Sequence, residues 1–103
     1  MPRSLVVLSP SPPPSGGGMA PIGTRREILG ILRLLNTAPQ EPGEDVLYGP
    51  GIELELPPSL DPVTQMLLRL TDEDVGWDVI RAIAHRTHWR LLDPLSGREL
   101  RLS

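Results

Sequence analysis

The sequence predicts a small α+β domain, in which a mainly antiparallel sheet has one face covered by a helix over residues 71–88. Three observations support this prediction. Residues 71–88 place apolar side chains on one side of a helix, residues 52–56 alternate strictly between apolar and acidic side chains, and the elements follow the order helix-strand-strand-helix-strand-strand. We expect residues 24–103 to form this single domain and residues 1–23 to be a disordered tail.

The first 23 residues are rich in proline, glycine and serine, and such a composition buries too little apolar area to offset chain entropy. The apolar run over residues 5–8 is too short for a signal peptide or a membrane span. The prolines could serve a proline-recognising partner, but no flanking basic residues support that reading, so a plain disordered tail is favoured. Met19 is an alternative translation start.

The first predicted helix covers residues 24–36. Thr24 and Glu27 form a T-x-x-E capping box, and Asn36 with the following Pro39 can end the helix. The apolar positions with helical spacing are Ile28, Ile31, Leu32 and Leu35. So short a helix needs packing to be stable, which favours docking on its own domain.

Two further leucines widen the apolar arc of this helix beyond what one packing contact needs. They are Leu29 and Leu34, while Arg26 and Arg33 stay off the apolar stripe. We name these four residues as hypothetical partner-binding residues, serving self-association or docking into the groove of a partner protein.

The strands follow from alternation and from turn residues. Residues 52–56 and 65–70 are expected to pair antiparallel, with Arg69 close to Glu53 or Glu55 on the wet face. Residues 46–48 can pair briefly, and residues 89–92 and 98–102 form a hairpin around the turn at 93–97. The second face of the sheet is expected to be exposed to solvent or partly covered by helix 24–36.

The helix over residues 71–88 has charges that suit its dipole. Thr71 is its expected cap, acidic residues occupy its first turn, and His85, Arg86 and His88 occupy its last turn. We expect Trp77, Trp89 or both to be buried where this helix meets the sheet.

Composition excludes several functions. There is no cysteine, which removes disulfides, zinc–thiolate sites and thiol catalysis. The net charge of −3 argues against a dedicated nucleic-acid binder. A nucleic-acid accessory role remains an alternative through the arginines of the C-terminal third, namely Arg81, Arg86, Arg90, Arg98 and Arg101.

Catalytic motifs are weak or missing. His85 and His88 with Asp78 could offer metal ligands, but a zincin H-E-x-x-H pattern is absent, and the histidines are better explained as helix-end charges. No G-x-S-x-G elbow or phosphate-binding loop occurs. We therefore expect a non-catalytic protein-interaction domain, cytoplasmic, without cofactor, metal or membrane span, with a protein partner or a second copy as its ligand. The other alternative is a small ligand-binding or enzymatic domain whose site forms across a dimer.

Overall fold

The computed structural model describes residues 3–12 and 15–100 and confirms the α+β class. Its elements are, in chain order, β1 (Arg3–Leu8), α1 (Arg25–Arg33), β2 (Val46–Gly49), β3 (Ile52–Glu55), β4 (Gln65–Leu70), α2 (Glu73–Thr87), β5 (Arg90–Asp93) and β6 (Arg98–Leu100). The six strands form one sheet in the order β2-β3-β4-β1-β5-β6, and all neighbouring strands are antiparallel.

The strand β1 corrects the prediction of a disordered tail for residues 3–8. Arg3–Leu8 lie in the middle of the sheet, paired with β4 along six residues and with β5 along three. Leu5 and Val7 are completely buried in the core. The prediction failed because the proline- and glycine-rich composition after residue 9 concealed a short apolar run that long-range pairing stabilises.

Both helices pack on the same face of the sheet. All strand residues of the core point to this face, whereas no described strand residue pointing to the other face is buried. The core comprises Leu5, Val7, Ile28, Leu32, Leu47, Ile52, Leu54, Leu56, Val63, Met66, Leu68, Leu70, Ile80, Ile83, Trp89 and Leu91. The sequence left two possibilities for the second face of the sheet, exposure to solvent or partial cover by helix 24–36. The structure shows that this face is exposed to solvent.

The helix α1 begins as predicted and ends earlier. The Thr24 side chain accepts from the amide of Glu27 at 3.1 Å, and the Glu27 carboxylate accepts from the amide of Thr24 at 3.0 Å. These hydrogen bonds, the backbone one first, lower the pKa of Glu27 below its ordinary value. The helix stops at Arg33, and Asn36 has a positive φ of 58°, the conformation expected of a terminating asparagine.

The helix α2 is capped by Asp72 and not by Thr71. The Asp72 carboxylate accepts from the amide of Asp74 at 3.0 Å, while the Thr71 amide donates to the carbonyl of Gly51 at 2.8 Å. The start of α2 is thus held against the turn between β2 and β3. At the other end, His88 takes the left-handed conformation that ends the helix.

The strand predictions hold within the described residues. The pairing of β3 with β4 places Glu53 directly opposite Arg69, and the 93–97 turn joins β5 to β6. Residues 101 and 102 of the last predicted strand lie outside the described residues. Trp89 is buried as predicted, and Trp77 is partly buried with the Arg3 guanidinium 5.6 Å from its ring centre.

Candidate protein-interaction face

The sheet presents one face without helices, which we call the open face. Its side chains come from all six strands: Ser4, Val6, Leu8, Val46, Tyr48, Glu53, Glu55, Gln65, Leu67, Arg69, Arg90, Leu92 and Glu99. The strand register aligns one residue of each strand in a single row across this face, in the order Val46, Glu55, Leu67, Val6, Leu92 and Glu99.

The centre of the open face is apolar. Val6 and Leu8 of β1, Leu67 of β4 and Leu92 of β5 lie side by side there and are only partly buried. Each of these residues belongs to a run of consecutive apolar residues, and successive residues of a strand point to opposite faces of the sheet. The adjacent apolar residue therefore packs into the core, and the residue itself lies on the open face. In a strand whose second face contacts only solvent, the residues at these positions are usually polar.

Charged side chains surround this apolar centre. Arg69 pairs with Glu53 at 3.4 Å, and Arg90 pairs with Glu99 at 2.6 Å, in both cases across neighbouring strands. Exposed ion pairs of this kind contribute about 0–1 kcal/mol to stability. Their main physical effect is to keep the face soluble and to restrict which surface can be placed against it.

A groove of about 220 Å³ opens at one corner of the open face. Its walls include Val6, Glu55, Pro57, Pro58, Gln65 and Leu67. Small-molecule sites usually measure about 300–1,000 Å³ and enclose their ligand. This groove is smaller than such sites, and its wall is partly polar through Glu55 and Gln65.

The partner-binding residues predicted on α1 divide into two groups. Leu34 is 69% exposed, and Arg26 and Arg33 are also exposed. Leu29 is partly buried and packs against the core. Much of the excess apolar arc of the helix is thus used inside the domain, which leaves a single free leucine on that surface.

The histidines are exposed at the end of α2. Asp78 pairs with Arg81 at 3.3 Å on the outer side of that helix. Among residues 3–12 and 15–100, no group of three or more His, Asp or Glu side chains is arranged to hold a metal ion.

The described arginines of the C-terminal third lie on both sides of the sheet. Arg81 and Arg86 are exposed on α2, which covers the helix-bearing face, whereas Arg90 lies on the open face and is paired with Glu99. Arg101 lies outside the described residues. Of the four described arginines, three are on the helix-bearing side of the sheet, because Arg98 lies opposite Asp93 on that face.

Fold and open face together define the class of protein: a two-layer α+β domain with one sheet face left partly apolar. Comparison with protein-family models, with curated proteins and with solved structures finds no match to this chain. In the part of the chain that the structure describes, no helix is long and apolar enough to cross a membrane.

Proposed function

We propose that the chain is a non-catalytic protein-interaction domain that self-associates through the open face. The observation that carries this proposal is the apolar centre formed by Val6, Leu8, Leu67 and Leu92 on the side of the sheet away from the helices. The domain already has a closed core on the other side, so these side chains are not needed to complete it. An apolar patch with a charged rim is typical of an interaction surface.

The size of the open face fits a weak dimer. Six strands spaced about 4.8 Å apart span about 24 Å, and strands of this length run about 13–20 Å, which gives about 400 Å² per copy. Two copies would bury about 800 Å² in total, below the roughly 1,200–2,000 Å² of stable complexes. We therefore expect an association that depends on concentration in the micromolar range or above.

Charge supports a second copy as the occupant. The open face carries Glu53, Glu55 and Glu99 together with Arg69 and Arg90, so the two signs are nearly balanced. Two such faces can meet without strong repulsion, and each can place arginines near the other's glutamates. Twisted sheets pack face to face either nearly aligned or nearly perpendicular, and both arrangements are open to this sheet.

The test is solution mass as a function of concentration, measured by sedimentation. The wild type should approach twice its monomer mass, 11.3 kDa, at high concentration and return to it on dilution. The double variant Val6→Thr with Leu67→Thr should remain monomeric and folded, because threonine suits a strand but removes apolar area. A wild type that stays monomeric at millimolar concentration would contradict the proposal.

A second surface is favoured by one observation, the 69% exposure of Leu34 at the C-terminal end of α1. In that alternative, Leu34 with Arg26 and Arg33 contacts a second copy. The variant Leu34→Ser separates the two surfaces, because it should leave association unchanged if the open face is the interface. Loss of association in Leu34→Ser, with retention in the open-face variant, would move the interface to α1.

A further inference from the structure

The loop that joins β1 to α1 is exposed along most of its length. In its described part, residues 10–12 and 15–19 are all exposed to solvent. Both ends of the loop are fixed, because β1 lies in the middle of the sheet and the Ile22 amide donates to the Val63 carbonyl at 2.7 Å. A protein-modifying enzyme can therefore reach this loop without unfolding the domain.

Two serines of this chain segment, Ser9 and Ser11, each precede a proline, and no other serine or threonine of the sequence does. A residue before proline is restricted to extended backbone, the conformation in which protein kinases bind the acceptor residue. Proline has no amide N–H, so the residue after the acceptor cannot donate a hydrogen bond to the kinase. The Ser-Pro dipeptide therefore suits proline-directed serine kinases, whose substrate groove does not need that hydrogen bond.

The structure distinguishes the two serines. Ser9 is only 6% exposed, and its side-chain oxygen accepts from the Ser11 amide at 3.1 Å. Ser11 is exposed. Ser15 is exposed too, but it is followed by a glycine. Ser11 is thus the serine that combines exposure with a following proline.

Ser11 lines a small groove beside the open face. The groove measures about 130 Å³, and it is lined by Ser11 and Gly18 of the loop and by Leu8 and Arg90 of the sheet. Leu8 and Arg90 lie directly opposite each other on β1 and β5, and both belong to the open face. A group attached to Ser11 would therefore be added at the rim of the open face.

Arg90 has donors for such a group. Its Nε donates to the Glu99 carboxylate at 2.6 Å, and its side chain is 43% exposed. Within the described residues, this bond leaves the two terminal nitrogens of the guanidinium to donate to a phosphate. Hydrogen bonds between arginine and phosphate are charge-assisted and about twice as strong as neutral ones.

We propose that Ser11 is the acceptor site of a proline-directed serine kinase, and that its phosphate pairs with Arg90 and weakens self-association. ATP is the donor: the Ser11 Oγ forms a bond to the γ-phosphorus, the bond from that phosphorus to ADP breaks, and the hydroxyl proton passes to the base of the kinase. The effect on association rests on the proposed function, whereas the site itself does not.

Charge explains the expected direction of the effect. The open face carries three glutamates and two arginines, which gives a formal charge of −1. A phosphoserine adds about −1.5 to −2 at pH 7, so the modified face would carry about −3. Two faces with this charge repel each other, and phosphorylation therefore favours the monomer.

Phosphorylation of the full chain in vitro tests the site. A purified proline-directed kinase with ATP should add one phosphate to the wild type and to Ser9→Ala, and none to Ser11→Ala. Mass spectrometry of the intact protein and of its peptides measures the number and the position of the phosphates. A phosphate on Ser9 or Ser15, or an unmodified wild type, would overturn the proposal.

The contact with Arg90 is tested by a phosphorus nuclear magnetic resonance titration of the phosphorylated protein in dilute solution. The second ionisation of phosphoserine has a pKa of about 6, and a neighbouring guanidinium should lower this pKa. Arg90→Gln should return the pKa to its ordinary value. Arg69→Gln, which removes the other arginine of the open face, should leave the lowered pKa unchanged; equal pKa values in all three proteins would contradict the contact.

Sedimentation then compares the two forms of the wild type. Phosphorylation should weaken self-association at least about tenfold, because like charges meet across the interface. Equal association of both forms would show that the phosphate does not regulate the interface. A wild type that is monomeric at all concentrations would overturn the proposed self-association, while the phosphate position and its pKa would still decide whether the Ser11 site is correct.

Discussion

A chain that begins at Met19 lacks β1 and should not fold. The remaining strands β4 and β5 would face a gap one strand wide, because β1 lies between them and pairs with both. The same deletion removes two side chains that are at most 1% exposed, Leu5 and Val7. This perturbation therefore tests whether the N-terminal segment belongs to the domain.

The expected loss is comparable to the whole stability of the domain. Removing a buried leucine costs about 2–5 kcal/mol, and burying a valine contributes about 1.5–3 kcal/mol. The lost strand ladder adds to this cost. A domain of this length has a free energy of unfolding of about 5–15 kcal/mol. The truncated chain should therefore lack a cooperative transition.

Circular dichroism during heating and in urea measures this directly. Adding a peptide of residues 1–12 to the truncated chain should restore the transition, since the peptide supplies β1 in trans. Two single variants give a matched control within the strand. Val7→Ala should lower the free energy of unfolding by about 1–3 kcal/mol, because Val7 faces the core. Val6→Ala should have a smaller effect, because Val6 faces the open face. A truncated chain that unfolds cooperatively at the wild-type midpoint would refute the reasoning.

Three further predictions concern the core and the turns. Gly76→Ala should lower the free energy of unfolding by about 1–3 kcal/mol, because a Cβ at this position would lie 2.6 Å from the carbonyl oxygen of Gly51. Gly30→Ala on α1 is the matched control: its Cβ meets no atom within 4 Å, so it should stabilise the domain by about 0.5–1 kcal/mol. Urea titration measures both changes. Trp89→Ala should cost about 3–5 kcal/mol in the same titration, and wild-type stability in the alanine variant would show that Trp89 is not part of the core. Asp93→Asn should be less stable than the wild type at pH 7, because the pKa of Asp93 is lowered in the folded protein and its charged carboxylate therefore stabilises the fold. The difference in stability should shrink as the pH falls below about 4, where the carboxylate becomes protonated. A difference in stability that grows in acid would contradict this prediction.

Local signals in the sequence were sufficient for much of the fold. The capping box of Thr24 and Glu27 located the start of α1, and the alternation in residues 52–56 identified both the strand and its buried side. The same alternation placed Arg69 near Glu53 or Glu55, and the observed register selects Glu53. The helix start and the strand alternation depend on neighbouring residues, so a single sequence carries that information.

Features that depend on distant parts of the chain were missed. The central position of β1 results from pairing with β4 and β5, which are far away in sequence, and nothing within residues 3–8 indicates it. The open face was missed for a related reason. Its signal was present, since Val6, Leu67 and Leu92 each adjoin core residues instead of alternating with polar ones. Only the strand register shows that these residues meet.

The most direct test of self-association through the open face is an amide-resolved nuclear magnetic resonance dilution series of the wild-type protein. The account predicts that the resonances that shift with concentration map to β1, β4 and β5 around Val6, Leu67 and Leu92. Shifts confined to α1 around Leu34, or spectra that do not change between micromolar and millimolar concentration, would contradict it.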